Sequence, residues 1–359
     1  MKPVLFVTGH APAYRIGAFE RLHEREGIEV ALFGGRAMHG GPEYSGELPF
    51  PHRRVRQREL WRLAASGRYR AVVCPTGGRV APLACWTGAR RARLPLLLWA
   101  SLWAHPASAA HVFSYLPLMR LYRSADAVVT YGPHVSAYVR ARGARNIHVA
   151  PQSVDNDFWR SAELGRPRDP AWPSDVATRF LLVGRPSPEK GVDVALDAWR
   201  RSGLKPPAAA LVLLGAGSGH IESVSDGVHR LDALPPAGLR DIYAACQVLL
   251  VPSIATARFR EPWGLVVNEA MNRRLAVIAS DAVGAAAGGL VRDGENGLVV
   301  AAGDAEALAR AITRLAGDAG ERARMGAAGA RAVTAYDHDA WAEGFSRALA
   351  TVGVSRGHW

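Results

Sequence analysis

Short apolar runs that alternate with helical patterns constrain this chain more than any other feature, and the alternation occurs twice. In the first half the predicted strands lie at 4–8, 30–33, 71–74, 96–101, 127–130 and 147–150. A polar, proline-rich segment at 165–174 interrupts the pattern, which restarts with strands at 180–184, 210–214, 248–251 and 276–280. Strands that alternate with helices form βαβ units on mainly parallel sheets. The sequence therefore predicts an α/β fold in two successive units.

The length of 359 residues agrees with two domains rather than one core. We predict an N-terminal domain over 1–165 and a C-terminal domain over 166–335. Residues 336–359 are predicted to form a final helix that packs back on the N-terminal domain. Ligands of open parallel sheets bind outside the carboxyl ends of the strands. Functional side chains are therefore expected just after strands.

The distribution of charge and the number of cysteines limit the kinds of partner and site that the protein can have. Residues 1–170 hold 24 of the 44 Lys and Arg residues and 12 of the 32 Asp and Glu residues, so they carry the whole net charge of +12. Such a field attracts a phosphorylated substrate, an anionic membrane or a polyanion. The three cysteines form no CxxC pair, which argues against a zinc site or a disulfide scaffold and fits a reducing compartment.

A stretch without charged residues, 94–119, is long enough to span a bilayer. Pro95, Pro106 and Pro117 interrupt it, together with His105, His111 and several serines. No single apolar helix can contain all of them. We therefore predict a buried strand, a loop and an amphipathic helix in place of a membrane span.

The first candidate motif, at 183–192, follows a predicted strand and precedes a helix. It holds Arg185 and Lys190, and only three of the 44 basic residues are lysines. A guanidinium and an ammonium group beside the free N–H groups of a helix N-terminus suit a diphosphate. The plain alternative is a solvated loop with ordinary surface charges.

The second candidate motif, at 260–271, contains two carboxylates eight residues apart, Glu261 and Glu269. Pro262 is predicted to start a helix, which would place Glu269 two turns along it and the N–H groups of Gly264 and Leu265 at its beginning. A carboxylate accepts hydrogen bonds from a vicinal diol, so each glutamate suits a sugar or a ribose. The alternative is a helix with one exposed and one capping glutamate.

Together these motifs resemble the retaining glycosyltransferases of family 4. The segments 277–281, 283–285, 293–298 and 150–155 extend the resemblance. Residues 12–15, Pro-Ala-Tyr-Arg, look like the opening of bacterial polysaccharide-assembling members. The resemblance covers most of 145–335 and is weaker in the N-terminal domain. It implies the GT-B fold, in which two Rossmann-like domains with parallel sheets face each other across a cleft.

The resemblance also implies a role for each candidate residue. Arg185 and Lys190 would bind the donor diphosphate, and Glu269 would hold the nucleotide ribose. Glu261 would contact the transferred sugar, next to the amides of Gly264 and Leu265. His105, which follows a predicted strand, would face the sugar, although a lone loop histidine is more often structural. The implied activity is retaining transfer of a hexose from a nucleotide diphosphate sugar to an acceptor hydroxyl, in glycan, glycolipid or glycosylated metabolite synthesis.

Three residues depart from the family pattern, and one motif is discounted. Arg274 and Ala276 stand where members usually have glycine and proline, and Asn268 replaces a common apolar residue. Asp155 and Asp157 form a superficial DxD motif, but they lie in a segment that the family uses otherwise, so no metal and no further cofactor is expected. Donor preference is expected to depend on the loops at 215–219 and 235–239.

The acceptor is expected to bind the N-terminal domain. The basic stretches 52–58, followed by Trp61, and 89–93 suit an acidic or lipid-linked acceptor or an anionic membrane surface, whereas the plain alternative is a generally arginine-rich composition. No DNA- or RNA-binding motif accompanies the charge, so no nucleic-acid partner is expected. We predict a cytoplasmic protein, peripheral at the inner face of the membrane.

Two other interpretations remain open at this point. One is a GT-B sugar-nucleotide epimerase, which would act without an acceptor. The other is a non-catalytic basic membrane-binding protein, which would not need Arg185, Lys190, Glu261 and Glu269 together. A phosphorylase is disfavoured because it would need a further lysine for pyridoxal phosphate, and only Lys2 and Lys205 remain.

Overall fold

The structure, a computed structural model, describes residues 1–34, 46–105, 109–161, 172–215, 227–257 and 259–356. Contacts divide the chain into two compact units. The first comprises Met1–Asp155 together with Tyr336–Trp359, and the second comprises Asn156–Ala335. The division thus falls earlier than residue 165, because the short helix after Asp155 packs within the second unit, where Asn272 Nδ2 donates to Asn156 Oδ1 at 2.7 Å.

The strands and helices alternate along the chain. The strands are β1 Val4–Thr8, β2 Ile28–Leu32, β3 His52–Arg54, β4 Ala71–Pro75, β5 Leu96–Ala100, β6 Ala127–Thr130, β7 Ile147–Val149, β8 Thr178–Val183, β9 Ala209–Leu214, β10 Val228–Leu231, β11 Val248–Val251, β12 Ala276–Ser280 and β13 Gly297–Val300. The helices are α1 Ile16–Glu26, α2 Leu60–Ala64, α3 Ala81–Ala92, α4 Ala109–Ser124, α5 Pro133–Arg140, α6 Asn156–Arg160, α7 Val192–Ser202, α8 Pro236–Ala245, α9 Val266–Asn272, α10 Gly284–Ala287, α11 Ala305–Gly317, α12 Ala319–Ala332 and α13 His338–Thr351.

The first unit is built on a parallel sheet in the order β3-β2-β1-β4-β5-β6-β7. Its central strands are continuous apolar runs because helices cover both faces. Helices α1 and α13 contribute to one hydrophobic core, whereas α2, α3, α4 and α5 contribute to the other. Residues of the C-terminal tail, Trp341 and Phe345, are fully buried in the first of these cores.

The second unit repeats this plan with the order β10-β9-β8-β11-β12-β13, again parallel. Both orders follow the Rossmann arrangement, in which the chain reverses its direction of travel at a central switch point. In the second sheet the switch point lies between the neighbouring strands β8 and β11. The predicted fold class, α/β with two Rossmann-like units on parallel sheets, is confirmed.

Three strands were not predicted, and all of them are at sheet edges: β3, β10 and β13. Edge strands are short and carry charged side chains that limit pairing with other chains. In β3 this charge is the basic stretch that the sequence assigned to acceptor binding, yet Arg53 pairs with Glu29 on the adjacent strand. Part of that stretch is therefore structural.

The uncharged stretch 94–119 contains β5 and the first part of α4, as predicted; residues 106–108 lie outside the described residues. None of the helices in the described part of the chain has both the length and the apolar character needed to cross a membrane.

Candidate active site

Two loops meet beyond the carboxyl ends of β8 and β11, at the switch point of the second sheet. The backbone N–H of Ile254 donates to Glu189 O at 3.0 Å. Gly191 has a φ of 65°, and a Cβ atom there would collide with the carbonyl oxygen of Pro252. A glycine is therefore required for the loop before α7 to approach the loop after β11 this closely.

The approach brings Lys190 and Glu261 together. Lys190 Nζ donates to Glu261 Oε2 at 2.6 Å, and Ser253 Oγ donates to the same oxygen at 3.3 Å. Glu261 is only 6% exposed, whereas the lysine keeps more contact with solvent. A largely buried carboxylate is stable here because two donors satisfy it. The two motifs, far apart in sequence, thus form one charged site.

Arg185 lies in the same loop as Lys190 but is more exposed, and its guanidinium is 4.0 Å from Glu189. The predicted roles of these residues toward a diphosphate stay predictions.

The loop that carries Glu261 is fixed by backbone contacts. Gly284 N donates to Glu261 O at 3.1 Å and Ala285 N donates to Trp263 O at 2.7 Å. A Cβ at Gly284 would collide with Pro262 O, so this position also needs glycine. The 283–285 segment, noted in the sequence only for its resemblance, therefore holds the loop from the neighbouring strand β12.

The predicted helix start at Pro262 is wrong. Helix α9 begins at Val266, and Gly264 adopts a φ of 91°, a left-handed conformation that belongs to a turn. Glu269 consequently lies in the first turn of α9 and not two turns along it. The amides of Gly264 and Leu265 precede the helix.

Glu269 is a second, separate carboxylate of the site. Tyr243 OH donates to Glu269 Oε2 at 2.8 Å. Burial raises the pKa of Glu269 to about 7, and the Tyr243 hydrogen bond acts against this by lowering it. Tyr243 and Ser253 were missed in the sequence analysis, because neither lies in a recognisable motif. Only their positions could have indicated them: Tyr243 lies in the helix before β11, and Ser253 lies just after that strand.

The three departures from the family pattern have structural counterparts. Asn268 is fully buried and accepts from Trp263 Nε1 at 2.7 Å, so the amide orients the ring beside Glu261. Arg274 has a φ of 59°, the region that glycine adopts most easily. Ala276 N donates to Gln247 O at 3.1 Å, a bond that a proline could not make.

The remaining candidates lie elsewhere. His105 follows β5 in the first unit, where its Nδ1 is 3.4 Å from Tyr138 OH and its ring contacts Tyr115. Asp155 ends the first segment of that unit, and Asp157 lies in the first turn of α6 in the second unit. Within the described ranges no group of three His, Cys, Asp or Glu residues is arranged to hold a metal. The expectation that the protein needs no metal stays a prediction. Residues 216–219, part of the loop expected to influence donor preference, lie outside the described residues.

Comparison with known proteins identifies the unit that holds this site. The family described as "Glycosyl transferases group 1" matches residues 177–318. The second unit carries a glycosyltransferase domain of this family. The resemblance inferred from the motifs is therefore confirmed, and the Lys190–Glu261 pair lies inside the group 1 domain.

Curated relatives agree with the assignment of the group 1 domain. A phosphatidyl-myo-inositol mannosyltransferase of Mycobacterium leprae is 33% identical over 215 residues, covering 57% of this chain and 54% of the relative. A D-inositol 3-phosphate glycosyltransferase of Stackebrandtia nassauensis is 34% identical over 201 residues, covering 50% of this chain and 43% of the relative. The chain thus spans about half the length of the curated relatives it matches.

Solved structures show the fold over the whole chain. A sucrose-phosphate synthase from Thermosynechococcus elongatus has a TM-score of 0.73 at 20% identity and covers 98% of this chain and 99% of its own. The Anabaena protein HepE, in complex with UDP and glucose, has a TM-score of 0.70 at 18% identity and covers 98% and 100%. The group 1 domain therefore belongs to a chain that shares the fold of these two proteins.

Proposed function

We propose that the chain is a retaining glycosyltransferase that transfers a hexose from a nucleotide diphosphate sugar to an acceptor hydroxyl. The observation that carries the proposal is the Lys190–Glu261 pair at the switch point of the second sheet. Open parallel sheets bind ligands at this place. A cation and a carboxylate in contact there suit two adjoining parts of one donor, its phosphate and its sugar.

The proposed mechanism follows from the charge that develops as the anomeric bond breaks. The sugar becomes positive and the leaving nucleotide becomes more negative. Lys190 and Arg185 would stabilise the leaving diphosphate, while Glu261 would hold a sugar hydroxyl. The acceptor hydroxyl would attack from the side of the leaving group, which retains the anomeric configuration. This route needs no covalent nucleophile from the protein.

A donor panel tests the proposal directly. HepE was solved with UDP-glucose, so UDP-sugars are the first probes, followed by GDP-, dTDP- and ADP-sugars. A bound donor at a hundredfold excess over its Kd is expected to stabilise the protein by about 2.7 kcal/mol. The measurement is the shift in thermal unfolding, combined with the release of free nucleotide. The proposal fails if no nucleotide sugar stabilises the chain.

The same assay separates the other interpretations. An epimerase would convert the sugar of its donor without an acceptor and without net release of nucleotide. A non-catalytic membrane-binding protein would neither bind nor hydrolyse any donor. The pairing of Lys190 with Glu261 favours the transferase, because a membrane-binding protein has no need of it.

Nucleotide affinity is expected to rise with pH around neutrality. Because burial raises the pKa of Glu269 to about 7, the carboxyl group ionises only near that pH, and the ionised form is the stronger acceptor for ribose hydroxyls. The same shift lowers the free energy of unfolding as the pH rises from about 4.5 to about 7, since the unfolded glutamate ionises first. The measurement is the Kd of UDP at pH values from about 4.5 to above 7.

Tyr243→Phe gives the matched variant for this experiment. Losing the hydrogen bond that lowers the pKa of Glu269 should move the midpoint of UDP affinity to higher pH. Tyr14→Phe, a change at an exposed tyrosine in the first unit, should leave the midpoint where it is. A UDP affinity that is flat with pH in the unchanged protein would contradict a role for Glu269 in ribose binding.

We propose further that the first unit binds an anionic membrane surface, which would present an acidic or lipid-linked acceptor. Three apolar side chains near the packed helices α2 and α3 are exposed: Trp61 by 43%, Val80 by 49% and Leu83 by 43%. The exposed cations Arg58 and Arg62 flank Trp61 in the sequence. Apolar side chains that insert between lipids, beside arginines that contact anionic headgroups, are typical of peripheral membrane proteins. The proposed location is the cytoplasmic face, where the free thiols stay reduced.

Sedimentation with vesicles tests this surface. Binding to phosphatidylcholine vesicles that contain phosphatidylglycerol should weaken about fivefold for each of Arg58→Gln and Arg62→Gln, since an arginine near such a surface is worth about 1 kcal/mol. Arg331→Gln, which removes an exposed charge from the second unit, is the matched control. Equal binding to vesicles without phosphatidylglycerol would contradict the proposal.

A further inference from the structure

Arg15 is a buried cation at the carboxyl edge of the first sheet. It ends the short turn Ala13–Arg15 between β1 and α1 and is only 3% exposed. One Nη atom donates to the side-chain oxygen of Gln152, which follows β7. No carboxylate of the described residues forms an ion pair with it. The guanidinium therefore places a positive charge in the interior of the first unit.

A second buried arginine in the same unit shows what a structural role requires. Arg70 pairs with the carboxylate of Glu26 at 2.8 Å and also donates to three backbone oxygens, those of Val354, Lys2 and Glu26. Its charge is neutralised and its donors are used. Arg15 is at least as deeply buried as Arg70, but no carboxylate of the described residues neutralises its charge and not all of its donors are used.

Aromatic rings surround Arg15 in place of an anion. The guanidinium carbon lies 5.3 Å from the ring centre of Tyr14, 5.6 Å from that of Trp99 and 5.4 Å from that of Trp341. Such contacts offset part of the cost of burying a cation. They do not use its hydrogen-bond donors.

Three N–H donors in this cluster are buried and have no acceptor: Nη1 of Arg15, Nε1 of Trp99 and Nε1 of Trp341. Buried donors are nearly always satisfied, so an acceptor group bound here would satisfy three donors that the protein leaves unpaired. A water molecule could accept hydrogen bonds but would leave the charge of Arg15 unbalanced. An oxyanion both accepts several hydrogen bonds and neutralises the guanidinium.

We propose that Arg15 is the receptor for an anionic group of the acceptor, a carboxylate or a phosphate. The inference rests on the proposed function, and it assigns the acceptor-side charge to one residue of the first unit. Tyr14 is 36% exposed and touches the guanidinium, so the anion enters past this side chain. The donors of Arg15, Trp99 and Trp341 then hold its oxygens. This site is separate from the exposed arginines near Trp61.

The test uses the whole chain and three probes of matched size: glucose 6-phosphate, glucuronate and glucose. Binding is measured by calorimetry and by indole fluorescence, because Trp99 and Trp341 both flank the site. At least one anionic probe should bind, and glucose should bind much more weakly. Preference for the first probe would identify a phosphate, and preference for the second a carboxylate. Equal affinity for glucose and its charged analogues, or no binding of either anion, overturns the proposal.

Gln152→Glu is the decisive variant. It places a carboxylate on the oxygen that Arg15 already contacts, so the protein folds with the site occupied by its own side chain. Affinity for the anionic probe should fall about 10- to 100-fold, the loss expected when a charged group loses its hydrogen bonds. Arg15→Lys should weaken binding through loss of the planar fork. Arg331→Gln, which removes an exposed charge from the second unit, is the charge-matched control and should bind the probe normally.

The two proposals fail in different ways. If Gln152→Glu and the unchanged protein bind the anionic probe equally well, Arg15 is not the receptor, whatever the donor assay shows. If donors stabilise the protein normally but no anionic probe binds, only the inference about Arg15 is lost. If no donor binds while the anion still does so through Arg15, the proposed function fails and the anion site stands.

Discussion

Glu261→Gln is expected to lower the rate of donor turnover by a factor of about 100 to 1,000, the loss typical when one preorganised polar group of an active site is removed. The carboxylate is almost wholly buried, and its Oε2 receives both Lys190 Nζ and Ser253 Oγ. The glutamine keeps the shape of the side chain but loses its charge. The measurement is release of free nucleotide from the best donor of the panel.

Substitutions in the Lys190–Glu261 pair should affect the stability of the protein differently from its activity. Lys190→Met leaves the Glu261 carboxylate buried without its cation, and such a loss typically costs about 3–5 kcal/mol of unfolding free energy. The double variant, Lys190→Met with Glu261→Gln, removes both charges and should recover most of that stability while remaining inactive. Urea unfolding of the four proteins forms a double-mutant cycle.

Glu189→Gln is the matched control because Glu189 lies in the same loop as Lys190, and its carboxylate is 4.0 Å from the guanidinium of Arg185. It should change both turnover and stability little. A double variant that turns over donor at the normal rate would contradict the role given to this pair. So would a Glu261→Gln protein with unchanged activity.

Phe345→Ala is expected to destabilise the first unit by about 3–5 kcal/mol, which is a large fraction of the total stability of a typical domain. The ring is fully buried in α13 and lies 5.4 Å from Phe6 and 4.5 Å from Trp341. Phe6 belongs to β1, at the opposite end of the sequence. The tail therefore completes the core of the first unit and is not an appendage.

Urea unfolding and hydrogen exchange measure this effect. Exchange of the β1 amides should accelerate together with the loss of unfolding free energy. Arg347→Ala, on the exposed side of the same helix, should cost about 1 kcal/mol or less. UDP affinity should be unaffected under native conditions, because the candidate site lies in the second unit. A loss of less than about 1 kcal/mol for Phe345→Ala would contradict this account of the tail.

The sequence by itself determined the fold class and most of the buried strands. Runs such as those of β1 and β9 are apolar at almost every position because helices cover both faces of a parallel sheet, and that requirement is visible in the residues themselves. The sequence also located Lys190 and Glu261, since a charged loop between a strand and a helix is a local pattern.

The tertiary structure alone decided which residues meet. Whether Lys190 touches Glu261 depends on the position of β8 beside β11 and on the glycine that lets their loops approach, and neither is a property of one segment. Two of the missed edge strands, β3 and β10, contain charged or polar residues, because a strand at a sheet edge pairs with a neighbouring strand on one side only. Apart from the adjacent Tyr14, the surroundings of Arg15 come from three distant segments of the chain, those of Trp99, Gln152 and Trp341. Local propensity acts between residues that are close in the sequence, whereas packing and burial act between residues that are close in space. The charged residues of a site can therefore be recognised in the sequence, but the residues that they contact cannot.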